Sequence, residues 1–264
     1  MSIRFENIFK SFGNKRILDG VSFEVSRGQI MFILGKSGMG KSVTLKHIIG
    51  VLEPDAGKIF VDHFEVTSLF NDELGTEIQK VRQLCGMVFQ HPALLDSLTN
   101  FENIAFGLRT PQYLEKMKRK LGEAEIRDIV LEKLALVHLD ESILPLKPFE
   151  VSYGVQKRIS MARTLAPGPE YLLFDEPTTG LDPLSTSAIN ELIYELSRKL
   201  NVTSIIVSHD MACALSIADS ILFLDQGKIL LKGSPKEIMQ SKIPLVTEFF
   251  AETIALLPPD WSVQ

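Results

Sequence analysis

Apolar residues fall along the chain in short, bounded runs, most of them of strand length. Ile3-Arg4-Phe5-Glu6-Asn7-Ile8 and Val21-Ser22-Phe23-Glu24-Val25 alternate apolar with polar positions. That is the period of a half-buried strand, and Gly13-Asn14-Lys15 between them predicts an antiparallel pair. Gln29–Leu34, Cys85–Phe89, Glu170–Phe174 and Val202–Val207 are nearly unbroken apolar runs, the pattern of strands buried on both faces. Leu52–Gly57 is a turn leading into a strand at Lys58–Val61, and Ile221–Leu224 with Lys228–Leu231 form a hairpin around Asp225-Gln226-Gly227. Apolar spacing of three and four predicts helices over 43–49, 75–84, 100–108, 123–137 and 185–200, and another from the Ser152–Gly154 turn to Leu165. Strands alternating with helices predict an α/β fold. An antiparallel β portion opens it, and residues 91–158, broken by Pro145 and Pro148, form a helical insertion.

The 264 residues are 45% hydrophobic, enough for one large or two modest domains. A net charge of −5 argues against nucleic-acid binding through the surface at large. Cys85 and Cys213 lie far apart in apolar sequence, which predicts buried, inert thiols in a reducing compartment. The N-terminal segment has no apolar h-region, so no signal peptide is expected. No run of 18 apolar residues occurs, so any membrane role requires a partner. The basic cluster Glu115–Lys120 reads as a solvated helix face, with a site for anionic lipid as the minority reading.

Chemistry concentrates at one motif. Gly35-Lys36-Ser37-Gly38-Met39-Gly40-Lys41-Ser42 fits G-x-x-x-x-G-K-[ST], between an apolar strand and the helix that Val43 continues. Gly35 and Gly40 let the backbone turn tightly around an anion. The loop amides and the helix N-terminus supply partial positive charge. Lys41 is of a length to reach β- and γ-phosphates, and the Ser42 hydroxyl suits Mg²⁺.

Three further strand ends carry polar groups. Gln90 follows the run at 85–89, where open α/β sheets place ligand-contacting groups; alone it is as well a loop residue. Asp175 and Glu176 end the run at 170–174, the first suited to a Mg²⁺ shell and the second to accept a proton from water. His209 ends the run at 202–207. Phe12, beside the first turn, is either a strand-end aromatic or a platform for a purine base.

In this order the motifs resemble the nucleotide-binding subunits of ATP-binding cassette (ABC) transporters over residues 3–235. The resemblance implies a P-loop NTPase (ABC ATPase) core, with an antiparallel β subdomain and a helical subdomain. It implies an ABC ATPase domain at 1–235, its core at 1–90 and 159–235 and its helical subdomain at 91–158, with 236–264 as a C-terminal extension. By the same resemblance Phe12 stacks on adenine, residues 35–43 hold the triphosphate, and Gln90 senses Mg²⁺ and a membrane partner. Val151-Ser152-Tyr153-Gly154-Val155 stands where the family has Leu-Ser-Gly-Gly-Gln; Asp182 is a dimer contact and His209 a γ-phosphate switch. A narrower likeness, in residues 40–50, 89–106 and 175–183, is to the Mla/MCE-type ATPases that drive phospholipid movement between bacterial membranes.

The resemblance implies ATP and Mg²⁺, and a head-to-tail pair of copies in which Ser152 and Gly154 of one chain complete the P-loop site of the other. It also implies an integral membrane permease, an MCE lipid-binding protein and a small cytoplasmic regulatory subunit. The chain would be cytoplasmic, peripheral on the inner membrane. Tyr153 replaces a glycine and Val155 a glutamine; a tyrosine where φ > 0 is needed would be strained, so slow or partner-dependent hydrolysis is expected. An importer of a polar small molecule such as an amino acid is the alternative, and a binding-only cassette a third possibility. The apolar tail residues Phe249, Phe250, Ile254, Leu256, Leu257 and Trp261 are expected to dock on a second copy or a regulatory partner.

Overall fold

The computed structural model describes residues 2–71 and 75–254. Its strands, in chain order, are β1 (Ser2–Phe12), β2 (Lys15–Ser26), β3 (Ile30–Leu34), β4 (Ala56–Val61), β5 (Phe64–Glu65), β6 (Cys85–Val88), β7 (Tyr171–Asp175), β8 (Thr203–Ser208), β9 (Ser220–Asp225) and β10 (Lys228–Gly233). The chain divides into two compact units, Met1–Val81 with Asn201–Gln264, and Arg82–Leu200.

The first unit holds two sheets. The alternating segments pair as expected, Ile3 opposite Val25, Phe5 opposite Phe23 and Phe12 opposite Lys15. Their inward residues Ile3, Phe5, Ile8, Val21, Phe23 and Val25 are buried, and the Phe5 and Phe23 rings stack with centroids 4.5 Å apart. β4 joins the far side of β1 and β5 pairs with β4, giving the order β2-β1-β4-β5. In the other sheet β3 lies between β8 and β9, parallel to both, and β10 closes the edge antiparallel to β9. Every residue of β3 and β8 is buried, as their unbroken apolar composition requires. The turn at Gln226-Gly227 has φ of 44° and 77°, the left-handed pair a two-residue hairpin needs.

The second unit pairs β6 and β7 in parallel and is otherwise largely helical, with helices Asn100–Ala105, Glu123–Leu136, Tyr153–Leu165 and Pro183–Lys199 among its elements. The helix expected over 100–108 divides, its last turn tightening to a 3₁₀ segment at Phe106–Arg109. The basic cluster falls at the end of a helix Pro111–Met117 that spacing did not reveal. Two of its cations are engaged: Lys116 donates to the carbonyls of Pro167 and Gly168, and Arg119 grips Glu125 with both terminal nitrogens.

The tail helix Pro244–Ile254 packs in part on its own chain, with Val246 buried and the Phe249 ring edge-on to Phe223 at 5.1 Å. Phe249 thus has an intramolecular seat where a partner contact was expected. Leu256, Leu257 and Trp261 lie outside the described residues, as do the side chains of Phe250 and Ile254. Among the described residues no helix is long and apolar enough to cross a membrane. Both cysteines are buried, and burial pushes the Cys213 thiol well above its ordinary range.

Candidate nucleotide site

Each unit delivers polar residues from the carboxyl ends of adjacent parallel strands. In the first unit Leu34 pairs with Ser208, so Gly35 and His209 leave the same sheet edge one residue later. From there 35–40 form a loop, and the helix Lys41–Ile48 begins behind Gly40. Gly40 has φ of 95°, and a Cβ there would lie 2.8 Å from the Ile17 carbonyl oxygen and 2.9 Å from Leu18 Cδ2. Gly35 has φ of 154°, and a Cβ would run into the Leu224 carbonyl. Gly38, with φ of 79°, has nothing within 4 Å of that position, so only its backbone conformation calls for glycine.

Lys41 is buried and folds back over this loop, donating to the carbonyls of Gly35 (2.8 Å) and Lys36 (3.2 Å). The amine therefore sits above the backbone that would cradle a phosphate. Lys36, Ser37 and Gly38 are exposed, and Ser42 and Val43 partly so. The Met39 sulfur accepts from the Gln226 amide at 3.3 Å, pinning the loop to the β9–β10 turn. His209 is exposed, and the next residue, Asp210, caps the helix Met211–Ile217 by accepting from the Cys213 amide at 2.9 Å. Phe12 ends β1, 48% exposed, with the Lys10 ammonium 5.5 Å from its ring centroid.

In the second unit Val88 pairs with Phe174, so Gln90 and Glu176 each stand two residues past the last matched pair, on one edge. Gln90 is exposed and Glu176 half-buried, whereas Asp175 is 8% exposed at the end of β7. Glu176 has φ of 48°, a left-handed backbone uncommon outside glycine, asparagine and aspartate. Such strain persists only where surrounding structure imposes it, and it clusters at working sites.

Ser152 caps the helix Tyr153–Leu165, its hydroxyl oxygen accepting from the Val155 amide at 3.4 Å. The hydroxyl proton remains available to a second acceptor. Tyr153 is the first residue of the helix and is not among the positive-φ residues, so the strain expected of it does not exist. A cavity of about 300 Å³ is lined by Ser152, Gly154, Val155 and Arg158 together with Leu184 and Ser185. Asp182 is exposed and caps the helix Pro183–Lys199, accepting from the Ser185 amide and hydroxyl; these bonds hold its carboxyl below the usual range.

Sequence reasoning passed over Lys157. Its side chain is fully buried, donates to the Gln90 carbonyl and lies 5.4 Å from the Tyr153 ring centroid. Burial pulls its pKa down to about 8. The one signal was spacing: Lys157 stands four residues after Tyr153, on the same helix face.

A glycine loop that follows a buried parallel strand and lies beneath the buried Lys41 amine suits the phosphates of a nucleoside triphosphate. Fold and site define a P-loop nucleotide-hydrolysing protein. The family model described as ABC transporter matches residues 18–179, and the chain belongs to that family as one of its ATPases.

Among curated relatives, the "probable ribonucleotide transport ATP-binding protein mkl" of Mycobacterium tuberculosis is 38% identical over 251 residues, covering 94% of this chain. The chain spans 66% of that relative's length. The "intermembrane phospholipid transport system ATP-binding protein MlaF" of Haemophilus influenzae is also 38% identical, over 94% of this chain and 89% of its own length. Among solved structures, cbiO1 of Clostridium perfringens superposes with a TM-score of 0.79 at 28% identity, covering 97% of this chain and 95% of that one. A dimeric post-hydrolysis state of the ATP-binding cassette MJ0796, bound to ADP and Pi, gives 0.77 at 28% identity over 88% and 98%.

Proposed function

We propose that this chain is the ATP-hydrolysing subunit of an ABC transporter that moves phospholipid between membranes through a separate membrane permease. The observation that carries the lipid reading is the likeness to the Haemophilus phospholipid-transport protein, which extends over nearly the full length of both chains. The transporter subunit would lie in the cytoplasm, peripheral on the inner membrane. It would work with the permease, an MCE lipid-binding protein and a small regulatory subunit, without nucleic acid.

In this reading the amides of 35–43 wrap the triphosphate, and Lys41 transfers its hydrogen bonds from the loop carbonyls to the β- and γ-phosphates. Phe12 stacks on the adenine, as its exposed face allows. Ser42, Asp175 and Gln90 would hold Mg²⁺, which when bound neutralises charge on the phosphate oxygens. Glu176 takes the proton of the attacking water and His209 holds the γ-phosphate by a hydrogen bond. Ser152 and Gly154 come from a second copy, where the helix N-terminus and the Ser152 hydroxyl face the same γ-phosphate. Asp182 contacts that copy. The dimeric form of the MJ0796 cassette supports such a pairing. Closure on ATP and reopening after hydrolysis would reach the permease through the Gln90 loop.

The test is ATP-driven transfer of a labelled phospholipid by the purified complex, lost in Glu176→Gln. A complex whose ATPase is stimulated by a polar solute and not by lipid would overturn the lipid reading. The second reading, an importer of a polar small molecule, is favoured by the methionine import protein MetN of Carboxydothermus hydrogenoformans, 36% identical over 96% of this chain.

A further inference from the structure

Tyr153 touches more than the helix it begins. Its hydroxyl lies 3.2 Å from His91 Nδ1, and an imidazole protonated on Nε2 accepts there. Its ring faces the Lys157 ammonium at 5.4 Å, and that ammonium donates to the Gln90 carbonyl. The ring also closes on Gly180, where a Cβ would meet Tyr153 Cε1 at 3.3 Å. Gly180 has φ of 83° and lies in the turn between Glu176 and Asp182. Further along the same helix Arg163 donates to the carbonyls of Ala93 (2.8 Å) and Pro92 (3.3 Å). One helix therefore fastens the whole stretch 90–93, and its first side chain also wedges the turn at 180.

We propose that Tyr153 is a positioning residue that ties the Gln90 loop, the Ser152 helix start and the 176–182 turn into one body. A displacement of Gln90 is then delivered to Ser152 and Glu176 together. The aromatic ring occupies a position where a glycine would leave a gap between the two loops, and its hydroxyl adds a bond that glycine lacks. This inference rests on the reading of Gln90, Ser152 and Glu176 as nucleotide-contacting groups.

The experiment is hydrogen–deuterium exchange on the full chain together with steady-state ATPase kinetics, for Tyr153→Phe, Tyr153→Gly and His91→Ala. Tyr153→Phe keeps the ring and loses the bond to His91. It should speed exchange across 89–95 by about threefold to tenfold, the factor that loss of one hydrogen bond gives in a local opening, and leave 176–182 unchanged. Tyr153→Gly should speed both segments and lower kcat with KM for ATP moved by less than about twofold. His91→Ala added to Tyr153→Phe should add nothing further.

Exchange unchanged in Tyr153→Phe, or raised equally in both segments, overturns the proposal. So does loosened exchange in Tyr153→Gly with an unaltered kcat. If Gln90→Ala hydrolyses ATP at the full rate, the reading beneath it fails and takes the proposal with it.

Discussion

Two glycines of the phosphate loop separate backbone conformation from steric contact. Gly38 and Gly40 both have left-handed φ, 79° and 95°, so alanine at either costs about 1–2 kcal/mol in conformation alone. At Gly38 nothing further is lost, because no heavy atom lies within 4 Å of the new Cβ. At Gly40 the Cβ meets the Ile17 carbonyl at 2.8 Å, Leu18 Cδ2 at 2.9 Å and Ile17 Cγ2 at 3.1 Å. The first of these is backbone, and the Leu18 side chain is buried, so neither yields without displacing β2. Overpacking of that kind adds about 1–3 kcal/mol, which brings Gly40→Ala to about 2–5 kcal/mol. Against a total of about 5–15 kcal/mol the difference is easily read. Urea unfolding of the nucleotide-free chain should show Gly38→Ala with a midpoint lowered by its conformational cost alone and Gly40→Ala with a markedly lower one, both at an unchanged slope. Equal midpoints for the two variants would refute the assignment of strand contacts to Gly40.

Two other outcomes follow from burial. His47 is fully buried, its Nδ1–H donates to the Val43 carbonyl at 2.6 Å, and its Nε2 has no partner among the described residues. Burial, opposed by the bond to Val43 and then helped by Lys10 and opposed by Asp55, holds its pKa below the usual 6.5. The unfolded chain then binds this proton more readily than the folded one, so stability is full above about pH 6.5 and declines as pH falls below it. The decline attributable to His47 should vanish in His47→Gln, measured by urea midpoints from pH 7.5 to 5; an identical pH dependence in the variant would contradict this. Cys85 and Cys213 should react with a thiol reagent only at the rate of unfolding, and prompt labelling of the native chain would show a thiol the structure buries.

The strands and the phosphate loop were legible because their signals are local: an unbroken apolar run, then glycines and Lys41-Ser42 at fixed spacing. The strand-end residues stood out for the same reason, and register sets Gly35 beside His209 and Gln90 beside Glu176. What stayed hidden depends on distant partners. Lys157, inside the run Gln156-Lys157-Arg158, reads as a surface cation, yet it is buried against a carbonyl 67 positions away. Tyr153 was expected to be strained because its position was judged by the family's glycine; it is the first residue of a regular helix, outside the positive-φ residues. The left-handed Glu176 has no signal in composition, since the residue following a buried strand is free to turn either way until its neighbours fix it.

The central claim is that ATP is held between two copies, the loop 35–42 of one and the Ser152 turn of the other. Sedimentation of the Glu176→Gln chain with ATP and Mg²⁺ tests it directly, in parallel with the same chain carrying Ser152→Arg. The account predicts a nucleotide-dependent dimer in the first and a monomer in the second, with ATP still bound. A Glu176→Gln chain that binds ATP and stays monomeric, or a Ser152→Arg chain that dimerises equally well, would contradict it.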